Sequence, residues 1–306
     1  MIMLGDHPGA SRLLSTVESL FKREGAFFSL HQHLSFVCGA QGEKFENGTL
    51  TLRSQFLQYL NDSRGKHHIL PILAEAAIDE LLRASRGEIL DLAVFESIIA
   101  EIVDSVVLFP ESPGSFAELG FFAAHDAIAR KTLVVAQQQH QGQSFINLGP
   151  IPIFNKHSIY GPIPIILGKE TPHDFKHVVD RLEFQTSKQK YRDRYEHGEF
   201  KNHTKKVQLT ILYELIRVFS FVTEKNLLLV LTKVFGKYEI EIVRRLLAIL
   251  VSMQFVSRTE FGDYLTKKDS PSLMEFKGSK FEETKAQILL FYENHDREAF
   301  AAVEAL

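Results

Sequence analysis

Tryptophan is absent from this chain of 306 residues, and cysteine occurs once, as Cys38. A single thiol excludes an internal disulfide framework and any zinc site built on paired cysteines. Two histidine pairs, His31/His33 and His67/His68, have no further ligands at zinc spacing, so no metal is expected. No apolar run reaches the roughly 18 residues of a membrane span. The longest, Leu246–Val256, is short and follows Arg244 and Arg245. The first ten residues include Asp6, His7 and Pro8 and do not read as a secretion signal, so a soluble cytoplasmic protein with no membrane partner is expected. The formal net charge is only −3, which argues neither for nor against nucleic acid; any basic surface must be local.

The hydrophobic content, 45%, is ample for a packed core, and the length suits two domains. The first half alternates strand-like and helix-like segments. Strands are predicted at Leu34–Cys38, His68–Leu73, Ser105–Phe109, Lys131–Ala136 and Ile163–Leu167. Helices are predicted at Ser11–Arg23, about 50–60, Glu75–Ala84, Leu90–Val103, Phe116–Ala129 and Pro172–Leu182. This order predicts an α/β domain over residues 1–185, with a flavodoxin- or Rossmann-like parallel sheet covered on both faces.

Residues 186–206 break the pattern with Lys188, Lys190, Arg192, Arg194, Lys201, Lys205 and Lys206, and read as a charged linker. From 207 to 306 no parallel-sheet pattern returns. Helices are expected at Val207–Phe221, Glu224–Phe235 and Tyr238–Met253, then two strands around a Gly262-Asp263 turn. Three helices and a hairpin spell a winged helix, followed by one or two further helices. The third helix is too hydrophobic for a typical DNA-reading helix. Protein docking, or backbone contact through the linker cations with Arg244, Arg245, Lys267 and Lys268, is the expected role.

The chemistry is expected around two loops. One follows the first predicted strand and carries Gly39, Gln41, Gly42 and Lys44. The other, Glu111-Ser-Pro-Gly114-Ser115, follows the third and opens a helix expected to start near Ser115. Glycines permit close backbone approach, and a helix amino terminus offers N–H groups to an anion. Ser115 can bind a ligand oxygen or cap the helix. Glu118, read into the first helical turn, can attack an anomeric carbon or stabilise an oxocarbenium ion; it can equally serve the helix dipole.

The segment Phe95-Glu96 through Asp104-Ser-Val-Val-Leu-Phe, continued by Pro-Gly-Ser-Phe-Ala-Glu118-Leu-Gly, resembles the nucleoside 2-deoxyribosyltransferase pattern. That resemblance implies Glu118 as nucleophile, with Glu96 and Asp104 assisting base and sugar; Glu96 departs from the usual Asp. Joined to a winged helix, the whole arrangement resembles the effectors of bacterial retrons. This implies an antiphage toxin that cleaves the N-glycosidic bond of a nucleotide such as NAD, with no cofactor. It implies as partners a reverse transcriptase and its multicopy single-stranded DNA (msDNA) with the msr RNA, and a homo-oligomer or higher assembly. The alternatives are a non-catalytic nucleotide-sensing regulator with a DNA-binding winged helix, and a base-exchanging transferase.

Overall fold

The computed structural model describes residues 4–22, 26–28, 33–40, 42, 44, 48–63, 65–85, 92–137, 145–163, 165–167, 175–187, 194–266 and 271–305. The chain opens with α1 (Ala10–Lys22) and β1 (Ala26–Phe28). Next come β2 (His33–Cys38), α2 (Leu52–Asp62), β3 (Ile69–Ile72), α3 (Ala74–Ser85), α4 (Leu92–Ile102) and β4 (Ser105–Leu108). Then follow α5 (Pro113–Ala123), α6 (Asp126–Ala129), β5 (Thr132–Gln137), α7 (Phe145–Leu148), α8 (Pro150–His157), β6 (Ile165–Leu167) and α9 (Lys176–Ser187). The second half holds α10 (Lys205–Phe219), β7 (Phe221–Val222), α11 (Glu224–Phe235), α12 (Ile240–Ser252), β8 (Val256–Arg258), β9 (Tyr264–Thr266), β10 (Met274–Phe276), α13 (Lys280–His295) and α14 (Arg297–Glu304). No helix among the described residues is long and apolar enough to cross a membrane.

Two compact units result, and their boundaries differ from the expected division at 185. One unit comprises residues 30–74 and 91–190; the other gathers 1–29, 75–90 and 191–306. The reason is strand pairing and helix burial far along the chain. In the second unit β1 pairs antiparallel with β10, matching Ala26 to Phe276. The Leu4 N–H donates to Asn226 Oδ1 at 3.0 Å. α1 buries Leu13, Val17, Leu20 and Phe21, a single helical stripe, and Phe21 meets the Tyr195, Phe235 and Phe276 rings. The segment read as a second crossover helix, α3, belongs to this unit too.

The α/β unit is a five-stranded parallel sheet in the order β3-β2-β4-β5-β6. Numbered along the unit, that is 2-1-3-4-5, a doubly wound order with its switch point between β2 and β4. All six residues of β2 and all four of β4 are buried, as a sheet covered on both faces requires. Right-handed crossovers then place α2 on one face and α4, α5 and α8 on the other. Ring contacts agree: Phe56 of α2 meets Phe109 and Phe175, whereas Phe36 meets Phe122 of α5. The helix expected over Phe116–Ala129 is two, α5 and α6, broken at His125.

The other unit centres on α10, where Glu214 is wholly buried among apolar neighbours. Its carboxylate accepts from Arg217 Nε at 2.6 Å and from the Leu273 and Met274 N–H groups at 3.0 and 2.9 Å. α10, α11 and α12 precede the β8–β9 hairpin as expected. A short strand that the sequence did not reveal, β7, completes an antiparallel sheet in the order β7-β9-β8.

Candidate functional site

In a doubly wound sheet, ligands bind beyond the carboxyl ends of the strands at the switch point. Here that is the rim where β2 runs into Gly39-Ala40 and β4 into Phe109-Pro110-Glu111. The two strand ends are locked by the Phe109 N–H, which donates to the Cys38 carbonyl at 2.9 Å. Cys38 itself is buried and in no disulfide.

Glu111 organises this rim. Its Oε1 accepts from the Ala40 and Arg53 N–H groups, both at 3.2 Å, and its Oε2 from the Leu52 N–H at 2.7 Å. Leu52 and Arg53 begin α2, so the anion seat at that helix terminus is filled by the protein's own carboxylate. Glu111, read from sequence as a ligand-binding residue, is therefore a positioning residue for both loops. Gly39 fits between them because a Cβ there would lie 2.8 Å from Arg53 Cβ and 3.0 Å from Glu111 Oε1. Gly42, at φ +83°, turns the loop back, and its carbonyl accepts from the Thr51 and Ser54 hydroxyls at 3.4 and 3.3 Å. Lys44 is exposed and bridges antiparallel to Leu50. Gln41 lies outside the described residues.

α5 starts earlier than expected. Ser112 is its N-cap, Pro113 its first residue, and Ser112 and Ser115 form a capping box. The buried Ser115 Oγ accepts from the Glu111 and Ser112 N–H groups at 3.0 and 2.9 Å, so this hydroxyl is spent on the turn. Gly114 is exposed at the second helical position, where a Cβ would approach nothing closer than Ser112 Oγ at 4.0 Å. Packing does not demand glycine there; it leaves backbone open to a ligand.

Beginning at Pro113 moves Glu118 from the first helical turn into the second, so a dipole-complementing role no longer accounts for it. It is half-buried, three residues beyond Ser115 on the helix side that carries Leu119 and Phe122, and its Oε2 is withdrawn from solvent. Glu96 is half-buried on α4, the neighbouring helix on the same face of the sheet, and burial raises its carboxyl above the ordinary value.

Asp104 is placed elsewhere. It precedes β4, at the amino edge of the sheet, roughly 16 Å of strand from the Glu111 rim. Its Oδ2 accepts from the Leu34 N–H at 3.0 Å. Beside it, sequence reading missed a buried chain in which Ser105 Oγ meets His33 Nε2 at 2.8 Å and donates to Ser35 Oγ at 2.9 Å. It also missed Arg53, a buried cation against Gly39. Its signal was a charged residue on the apolar face of α2. Among the described residues no three His, Cys, Asp or Glu side chains gather as a metal site.

The sequence profile of STM3845 retron effector proteins matches residues 49–258, a span that includes the β4 side of the rim, Glu118 and part of the helical unit. The chain belongs to this retron effector family. Two Escherichia coli proteins named for a proposed ribosyltransferase/DNA-binding role resemble this effector. That of retron Ec86 is 36% identical over 122 residues, 40% of this chain and 37% of the relative. That of retron Ec73 is 30% identical over 126 residues, 40% of this chain and 38% of the relative. The effector thus matches these relatives over less than two fifths of their length.

In the helical unit of the effector, Arg194 is exposed and bridges to Phe27. Arg244 of α12 pairs with Glu241 at 3.1 Å, and Arg245 beside it is half-buried. Lys188, Lys190, Arg192, Lys267 and Lys268 lie outside the described residues.

Proposed function

We propose that this retron effector is an antiphage toxin that cleaves the N-glycosidic bond of a cellular nucleotide, with Glu118 as the acting carboxylate. The observation that carries this reading is the half-buried Glu118 in the second turn of the helix that opens at the switch-point rim. The family membership and the relatives' ribosyltransferase naming support the reaction class. Glu118 attacks the anomeric carbon, or stabilises the oxocarbenium ion, as the carbon–nitrogen bond breaks and the base departs with the bonding electrons. Water then takes the sugar and releases the carboxylate. A purine leaving group needs a proton, and Glu96, held protonated by burial to higher pH than an ordinary carboxyl, is the group we assign to it. Nicotinamide leaves NAD as a neutral molecule and needs none. Asp104, at the far edge, has no part in the proton transfer.

The second unit is read as a winged helix that docks the effector to its reverse transcriptase and msDNA in the cytoplasm, in a higher assembly. The decisive experiment is a mass-spectrometric nucleotide profile of cells expressing the effector or its Glu118→Gln variant. Loss of one nucleotide and gain of its free base with the native chain alone is the expected result. If neither chain changes the profile and Glu118→Gln keeps the cellular effect, the effector acts as a nucleotide-sensing regulator; if Glu118→Gln still depletes the nucleotide, Glu118 is not the acting carboxylate.

A further inference from the structure

The most exposed large apolar side chain described is Phe261, at 89% of its accessible surface, and it sits at the apex of the β8–β9 hairpin. The apex is tightly bound. The Thr259 N–H donates to the Asp263 carbonyl at 2.8 Å, the Gly262 N–H returns to the Thr259 carbonyl at 3.0 Å, and the Asp263 N–H donates to Thr259 Oγ1 at 3.0 Å. Gly262 takes φ +88°, the left-handed conformation that suits glycine. A rigid turn holding a phenylalanine in solvent gains nothing for the fold, because the ring buries almost no surface.

The surroundings decide what could cover it. A Cβ on Gly262 would lie 3.9 Å from Glu224 Oε2, so that carboxylate stands against the turn. Glu260 is exposed beside Phe261, and Asp263 closes the turn. Arg258, the cation at the base, is taken by Glu80 at 3.4 Å. Glu80 is spent on Arg258 and Asp263 is buried, which leaves Glu260 and Glu224 as the carboxylates this apex shows. A nucleic-acid contact needs cations facing phosphates, and this apex presents the opposite charge. A protein with an apolar pocket and a basic rim is complementary to it in both respects.

We infer that the β8–β9 apex is a protein-docking plug, in which Phe261 enters an apolar pocket and Glu260 and Glu224 face basic residues around its rim. This rests on the proposed partnership, because a polymerase that handles nucleic acid is a protein of basic surface. The apex therefore contacts the reverse transcriptase, and msDNA is held elsewhere.

The test is a binding titration of the full-length effector against the purified reverse transcriptase–msDNA complex, and separately against msDNA alone. Phe261→Ala and Phe261→Asp are expected to weaken binding to the complex roughly tenfold or more. Phe261→Tyr should restore it, and Glu260→Lys should weaken it with a reduced salt dependence. All four variants should unfold at the native temperature, since the ring is not packed, and binding to msDNA alone should not change. If the native effector binds the complex and Phe261→Ala binds it equally well, the docking plug is refuted while the partnership stands. If Phe261→Ala loses affinity for msDNA alone, the apex is a nucleic-acid contact and the inference is wrong. If the native effector fails to bind the complex, the partnership fails and the inference with it.

Discussion

Replacing Glu111 by Gln tests whether one carboxylate builds the rim. Its two oxygens receive three backbone N–H groups at 3.2, 3.2 and 2.7 Å. The best amide rotamer keeps the carbonyl oxygen toward Ala40 and Arg53, which turns the NH2 group onto the Leu52 N–H at the shortest of the three distances. One charge-assisted bond is lost, worth about 1.5–3 kcal/mol, and two donors are left facing each other. Removing the negative charge from the start of α2 costs about 0.3–1 kcal/mol more. The expected destabilisation is about 2–4 kcal/mol, read from urea unfolding followed by circular dichroism. Hydrogen exchange at the amides of Ala40, Leu52 and Arg53 should accelerate at the same time. A change below about 0.5 kcal/mol with native exchange at these amides would refute the claim that Glu111 is the structural pivot.

Gly39→Ala should destabilise by about 1–3 kcal/mol, because its Cβ would press on Arg53 Cβ at 2.8 Å; thermal melting measures this. Ser112→Ala removes the α5 cap and should cost about 1 kcal/mol by the same assay. Glu96→Gln should slow cleavage of purine nucleotides severalfold while sparing NAD, measured on the purified effector; equal loss on both would remove Glu96 from the acid role. Burial holds His197 and His203 below the ordinary histidine range; Lys22 adds to this at His197, where Glu18 opposes it, and a bond to the Gly198 backbone opposes it at His203. A base depressed on folding supports stability above its unfolded value, about 6.5, and loses that support as pH falls below it. Melting temperature should therefore drop from pH 7.5 to 5.5, and His197→Gln with His203→Gln should flatten the profile.

The α/β order was legible because the strands are short apolar runs, and the central ones end at glycine or proline. Leu34–Cys38 and Ser105–Phe109 are the clearest, and they became β2 and β4. The rim loops were legible from Gly39 and Pro113-Gly114. What those loops do was not: Glu111 finds its donors 58, 59 and 71 residues away, a distance no local pattern encodes. The start of α5 was misplaced because proline was read as a break, whereas at the first helical position it is well accommodated. Asp104 and Glu118 were grouped by a motif, but β4 lies between them: Asp104 precedes the strand, whereas Glu118 sits in the second turn of the helix that follows it. β1, β7 and β10 are three or fewer residues long, too short to show a period of two.

The pairing of β1 with β10 constrains how this effector folds during synthesis. The second unit is stitched from three stretches of chain, and its first strand waits for a partner some 250 residues later. On a ribosome that strand stays unpaired until β10 has emerged. Until then the second unit is unfinished, whatever the state of the α/β sheet. The α/β unit also cannot be parted by a single cut at residue 190, because that cut severs α1, β1 and α3 from the rest of their own unit. The two units are interleaved along one chain and are therefore inherited together.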